Sequence, residues 1–190
     1  MSFLLNALIF LVTLFFTVRF FRRDGRWSWA NGRPAFRFFT VLSNVLCALS
    51  ALGMCLFPGQ AWAWTLKYLG TLTVTVTMVT VLLFLGPTMG YGVLFKGSDL
   101  FMHLITPLLA LVSFCVFERR GMSLGFSLLG LLPVFAYGTF YLYKIKYAPA
   151  AKRWDDFYGY NRGGRWPVSY AAMMTGTLLL CLALRFLQNL

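Results

Sequence analysis

Two stretches of the chain hold residue types whose spacing could do chemistry. They are Arg37-Phe38-Phe39-Thr40-Val41-Leu42-Ser43-Asn44 and Asp99-Leu100-Phe101-Met102-His103-Leu104-Ile105-Thr106-Pro107. His103 is the single histidine in 190 residues. Imidazole is the side chain that exchanges a proton near neutral pH, and an ionisable group at the rim of an apolar helix is a functional candidate by default. A threonine hydroxyl is a poor nucleophile until a base takes its proton. Thr40 and His103 therefore read as a candidate nucleophile and base. Counted from Phe36 and Asp99, where the apolar runs open, each lies about 6 Å along a helix axis. The two can meet if their helices are neighbours.

The surrounding polar residues fall in register with this pair. Thr40, Ser43, Asn44 and Cys47 share one helical stripe, as do Asp99, His103, Thr106, Ala110 and Ser113. Asp99, one turn before His103, could orient the imidazole as the third member of a triad does. Asn44, Ser43 or backbone amides could steady an oxyanion. Each has a plainer role too. Ser43 and Asn44 could glue helices together, Thr40 could bond back to its own helix, and Asp99 could favour the first turn of a helix capped by Ser98. Pro107 has no N–H to offer the His103 carbonyl, which predicts a bend there.

The elements that must position these residues are transmembrane helices. Hydrophobic residues make up 59% of the chain and charged residues 12%, with a mean hydropathy of +0.73. Six apolar runs, roughly 2–21, 36–57, 65–85, 99–117, 123–143 and 167–187, reach spanning length. They use up the chain, so the expectation is an all-α polytopic membrane protein, a six-helix bundle forming one domain over 1–190. The first run reads as a retained helix, because its positive charges follow the apolar core and no cleavage site appears. The alternation Thr71-Leu72-Thr73-Val74-Thr75-Val76-Thr77 would suit a strand in water, but a lone strand in lipid leaves its backbone unpaired, so helix is expected. Pro133 predicts a kink in the fifth run. The linker 86–98, rich in glycine, reads as a mobile or interfacial loop. Trp27, Trp29, Trp62, Trp64, Trp154 and Trp166 lie near run ends, at the depth indoles prefer.

Charge sets orientation and excludes some functions. The net charge is +12, from 17 basic residues against 5 acids. Thirteen of the 17 lie on the linkers after runs one, three and five or at their margins; Lys67, Arg119, Arg120 and Arg185 are on the other side. Both termini are then outside and the basic linkers cytoplasmic, facing anionic lipid. Nucleic-acid binding needs a solvated basic face that these linkers do not form. Cys47, Cys55, Cys115 and Cys181 all fall inside apolar runs without C-x-x-C spacing, which points to packing, not to a disulfide framework or zinc. One histidine excludes a bis-histidine haem within the chain, and ligands for a metal are too few; no cofactor is expected. Asp155 and Asp156 read as a pair solvated among Lys152, Arg153 and Arg162, or as acid–base or cation-binding groups.

At Thr40, Ser43-Asn44 and the stretch from His103 through Pro107 to Glu118 the chain resembles a group of bacterial six-helix membrane proteins. More distantly it resembles the family of the androgen-induced protein and the androgen-dependent TFPI-regulating protein, transmembrane threonine hydrolases of fatty acid esters of hydroxy fatty acids. The family pattern is a threonine at the start of the second helix and a histidine in the fourth, followed by a proline; Thr40 and His103-x-x-x-Pro107 match it. The resemblance implies a bacterial cytoplasmic membrane, with membrane lipids and a lipid-like ester as partners, and a hydrolase whose catalytic residues are Thr40 and His103. The rival reading is a small transporter or lipid-binding subunit whose pathway is lined by Asp99, His103 and the helix-two stripe.

The charge distribution makes a direct prediction. In sealed cells, a thiol introduced by Arg26→Cys reacts with a permeant maleimide and not with an impermeant one added outside. Labelling from outside reverses the orientation.

Overall fold

A lipid-facing backbone has no water to bond with, so each spanning segment closes its own hydrogen bonds as a helix. The computed structural model describes residues 1–23 and 25–190, with nothing said of the Arg23 side chain. Among the described residues six helices are long and apolar enough to cross a membrane: α1 (Ser2–Arg19), α2 (Phe39–Leu56), α3 (Ala61–Met89), α4 (Ser98–Phe117), α5 (Leu124–Tyr147) and α6 (Trp166–Gln188). The protein is an all-α bundle and an integral membrane protein.

Helix boundaries differ from the apolar runs where local geometry intervenes. Arg33–Arg37 is a 3-10 turn entered through Pro34, and Phe38 is extended (φ −89°, ψ 134°). The second helix therefore starts at Phe39, which puts Thr40 in its first turn. The third helix runs past the expected end to Met89, and the linker behind it holds a further short helix, Tyr91–Leu94. In the first linker, Arg22–Arg23 (β1) pairs antiparallel with Arg26–Trp27 (β2) as a minimal ribbon.

The bundle is built round α3, which packs against α2, α4, α5 and α6. Gly70 sets the distance to α2: a Cβ there would stand 2.8 Å from the Cys47 Cα, so any larger residue pushes the two backbones apart. Ile9, Cys47, Ala51, Val74 and Ala110 fill the seam between α1, α2, α3 and α4. Trp64, Tyr68, Leu72, Phe114, Cys181 and Leu184 fill the other end and bring in α6. Trp64 is thus a core residue, not an interfacial one, and its indole donates to the Glu118 carbonyl at 2.9 Å. Thr73, Thr75 and Thr77 bond back to carbonyls one turn earlier in their own helix.

A buried ion pair ties this end together. Lys67 and Glu118 are both buried, with Nζ and Oε2 3.9 Å apart. Lys67 donates to Asn6 Oδ1 at 2.7 Å. Glu118 Oε1 accepts from Ser2 (2.7 Å), Ser113 (3.0 Å) and the Asn6 amide. The network therefore joins α1 and α3 to Glu118, the residue that ends α4, and Lys67, counted by charge with Arg119, Arg120 and Arg185, is buried. Gln188 extends the tie to α6 by donating to the Phe114 carbonyl at 2.7 Å.

Removing one member of a buried pair leaves an uncompensated charge, which costs about 3–5 kcal/mol. Lys67→Met and Glu118→Gln singly should each lower the thermal midpoint in detergent strongly. The double variant should recover most of the loss. Additive losses would mean that the two charges do not interact.

Candidate active site

The chemistry-bearing part of α4 is shaped by proline. Thr106 donates to the Phe101 carbonyl, five residues back, so Phe101–Ile105 is π-helical. In that register the next carbonyl, of Met102, would need a donor at Pro107, which has none. Asn44 supplies it from α2: Nδ2 donates to Met102 O at 3.0 Å and to Thr40 O at 2.8 Å. The carbonyl met by an outside donor is thus that of Met102, one residue before the expected His103, because the π turn shifts the register by one.

This seam brings α2 and α4 together at the two candidate residues. Thr40 Oγ1 lies 3.5 Å from His103 Nε2. His103 is 8% exposed. Its Nδ1 lies 2.8 Å from the Leu94 carbonyl, which can only accept. Nδ1 therefore carries the proton and Nε2 presents its lone pair to Thr40. Leu94 sits on the Tyr91–Leu94 helix, between Gly90 (φ +87°) and Gly97 (φ +59°), conformations that favour glycine. Tyr91 pins this segment to α3 by donating to Leu82 O at 2.8 Å. The linker expected to be a loop is instead the support of the imidazole.

The other site candidates take different places. Asp99 is half-buried in the first turn of α4 and shares no hydrogen bond with His103 among the described residues. Leu94 O holds the nitrogen that Asp99 was expected to orient. Ser98 is the first helical residue, after Gly97, so it does not cap. Asn44 has turned its amide hydrogens to two carbonyls, which leaves none for an oxyanion. Ser43 bonds to Thr40 O (3.0 Å) and to the Thr77 hydroxyl (2.9 Å), a tie between α2 and α3.

Residues from the loop 148–165 complete the site, and only their acids stood out in the sequence. Tyr158 Oη accepts from the Phe39 N–H at 3.0 Å. This N–H is one of the orphan donors at the start of a helix. Burial pushes the Tyr158 phenol up, opposed by Tyr137 and by the donors at Phe39 and Thr40. Asp156 folds the loop that presents it. Its carboxylate accepts from Tyr141 (3.0 Å), the Tyr160 N–H (2.8 Å) and the Asn161 N–H (2.7 Å). Asp156 is therefore a fold-holding acceptor rather than a group solvated among lysines and arginines, whereas Asp155 is exposed.

Thr40, Tyr137 and Tyr158 line a cavity of about 390 Å³ between α3, α5 and α6, whose walls are otherwise mostly apolar. Tyr68 and Leu72 of α3 pack with Cys181 and Leu184 of α6 at the opposite end of the bundle. At the cavity end, Phe84 of α3 and Val168 of α6 line the cavity and are exposed on the bundle's outside. Among the described residues no three of His, Cys, Asp and Glu gather as a metal site. No family model matches the chain, and neither curated proteins nor solved structures give a match.

The seam makes Asn44 and Asp99 separable. Asn44→Ala leaves the buried Met102 carbonyl unpaired, a loss of about 1–3 kcal/mol, and should lower the thermal midpoint. Asp99→Asn, which breaks no hydrogen bond with His103, should melt close to the wild type.

Proposed function

We propose that the protein is a membrane-embedded hydrolase of lipid-like fatty acyl esters, with Thr40 as nucleophile and His103 as base. It would sit in a bacterial cytoplasmic membrane with both termini outside. The observation that carries this reading is the ordered relay of Leu94 O, His103 and Thr40, the last of which lines a mostly apolar cavity. The basic linkers support the orientation, and the match of Thr40 and His103-x-x-x-Pro107 to the transmembrane threonine hydrolases supports the chemistry.

Thr40 Oγ1 attacks the acyl carbonyl carbon while its proton passes to His103 Nε2, and the carbonyl π pair moves onto oxygen. On collapse the C–O bond to the alcohol breaks, and His103 returns the proton to the departing oxygen. Water, deprotonated by His103, then attacks the acyl-threonine. Thr40 leaves with that proton, and a carboxylic acid is released. The 3.5 Å separation is longer than a formed hydrogen bond, as suits a site that tightens when substrate binds. A lipid-binding or transport subunit would have use for the cavity, but it would not need a base whose tautomer is set towards a hydroxyl.

A lipophilic fluorophosphonate should label the wild-type protein in membranes at Thr40. Thr40→Ala should abolish the adduct, and His103→Ala should abolish or strongly slow it. Thr40→Ser should keep partial reactivity, since the hydroxyl remains while its rotamer is freed. Undiminished labelling or ester hydrolysis in Thr40→Ala would exclude this mechanism.

A further inference from the structure

An acyl-transfer site needs hydrogen-bond donors where the carbonyl oxygen becomes an oxyanion, and here the expected side chain is unavailable. Asn44 spends both amide hydrogens on Thr40 O and Met102 O. Tyr137, which also lines the cavity, donates its phenolic proton to Arg37 O at 2.8 Å. Ser43 is engaged with Thr40 O and Thr77. Tyr158 differs from all three. It accepts the Phe39 N–H and donates to no carbonyl among the described residues, so its proton is left to the hydroxyls beside it, Thr40 and Tyr137, and to the cavity it shares with them.

From this geometry we infer that Tyr158 is a catalytic residue, the donor that binds the oxyanion formed when Thr40 attacks an ester. The inference rests on the hydrolase reading above. Several features of the site agree with this role. The donor Phe39 N–H draws electron density from the phenol oxygen, which strengthens the phenol as a donor in turn. Burial raises its pKa, so the proton stays on. Thr40 and Phe39 are in the first turn of α2, where the helix dipole favours negative charge on a neighbouring oxygen. The loop is rigidly supplied, because Asp156 accepts from the Tyr160 and Asn161 amides and from Tyr141, whose oxygen in turn accepts the Tyr158 N–H at 3.3 Å. In the reaction the phenol shares its proton with the oxyanion and keeps it. No proton is transferred, and the bond is released when the carbonyl re-forms.

The test is steady-state hydrolysis of a long-chain p-nitrophenyl ester by the full-length protein in detergent, with a long-chain trifluoromethyl ketone as inhibitor. Thr40 adds to that ketone to give a tetrahedral alkoxide; the matching methyl ketone reports binding without it. Tyr158→Phe should lower kcat by roughly 10²–10³-fold at unchanged KM. It should weaken the trifluoromethyl ketone to a similar degree and leave methyl ketone affinity alone, a split that a packing role would not produce. Should Tyr158→Phe fail to fold, 3-fluorotyrosine at position 158 keeps the shape with a more acidic phenol and should tighten the trifluoromethyl ketone. Unchanged kcat and ketone affinity in Tyr158→Phe, or unchanged ketone affinity with 3-fluorotyrosine, overturns the role of Tyr158. If Thr40→Ala is inactive in the same assay, the Thr40 mechanism stands without it. Turnover by Thr40→Ala, or none by the wild type, overturns both.

Discussion

A carbonyl that loses its donor inside hydrocarbon must find another one within the protein, because water is not there to replace it. Pro107 creates that situation for Met102, and Asn44 resolves it at 3.0 Å. The bond is short, buried and directional, so it fixes how far along and around its axis α4 sits against α2. The same asparagine holds the Thr40 carbonyl, so one side chain registers the first turn of α2 against the π turn of α4. The distance between Thr40 and His103 follows from that register. Proline, a residue that ordinarily weakens a helix, here specifies which helices meet and at what depth.

The buried polar groups divide into two zones with opposite electrostatic character. At one end the opposite charges of Lys67 and Glu118 lie close together, and three neutral partners, Ser2, Asn6 and Ser113, hold them. The packing round Trp64, Tyr68 and Phe114 shuts this end in. At the other end there is no compensating ion pair among the described residues. The imidazole has a set tautomer, the hydroxyl before it lines a cavity, and the phenol above it has a proton to give. The first zone clamps α1, α3, α4 and α6 together, and the cavity lies at the second.

Aromatic residues pack the rim of the bundle where the loop 148–165 meets the start of α2. Tyr141 stacks with Tyr137 and packs edge-on against Phe157 and Tyr160, while Phe38 and Phe39 reach the same cluster from α2. These rings bury large areas with few rotatable bonds. Their hydroxyls then choose partners by proximity, which separates Tyr137, tied to a carbonyl, from Tyr158, tied to an amide.

The sequence by itself determined the fold class. Uninterrupted apolar runs of spanning length leave only helices as an option, and glycine, proline and charge mark where they stop. It also singled out Thr40 and His103, because a lone histidine beside a polar stripe in a membrane helix is conspicuous in composition alone. It could not assign partners. Asp99 shared a face with His103 but lost the imidazole to Leu94 O, since a linker that looked unstructured folds back over α4. Asn44 looked like an oxyanion donor until the π turn showed which carbonyl claims it. Lys67 was one of four basic residues counted on one side, and nothing in the sequence paired it with Asn6 and Glu118, remote in the chain. Tyr158 was one aromatic residue among many in a loop read for its acids. Periodicity reports which face a residue is on; which acceptor a side chain reaches across 60 or 120 residues of chain depends on helix register and loop path, and only the tertiary structure decides those.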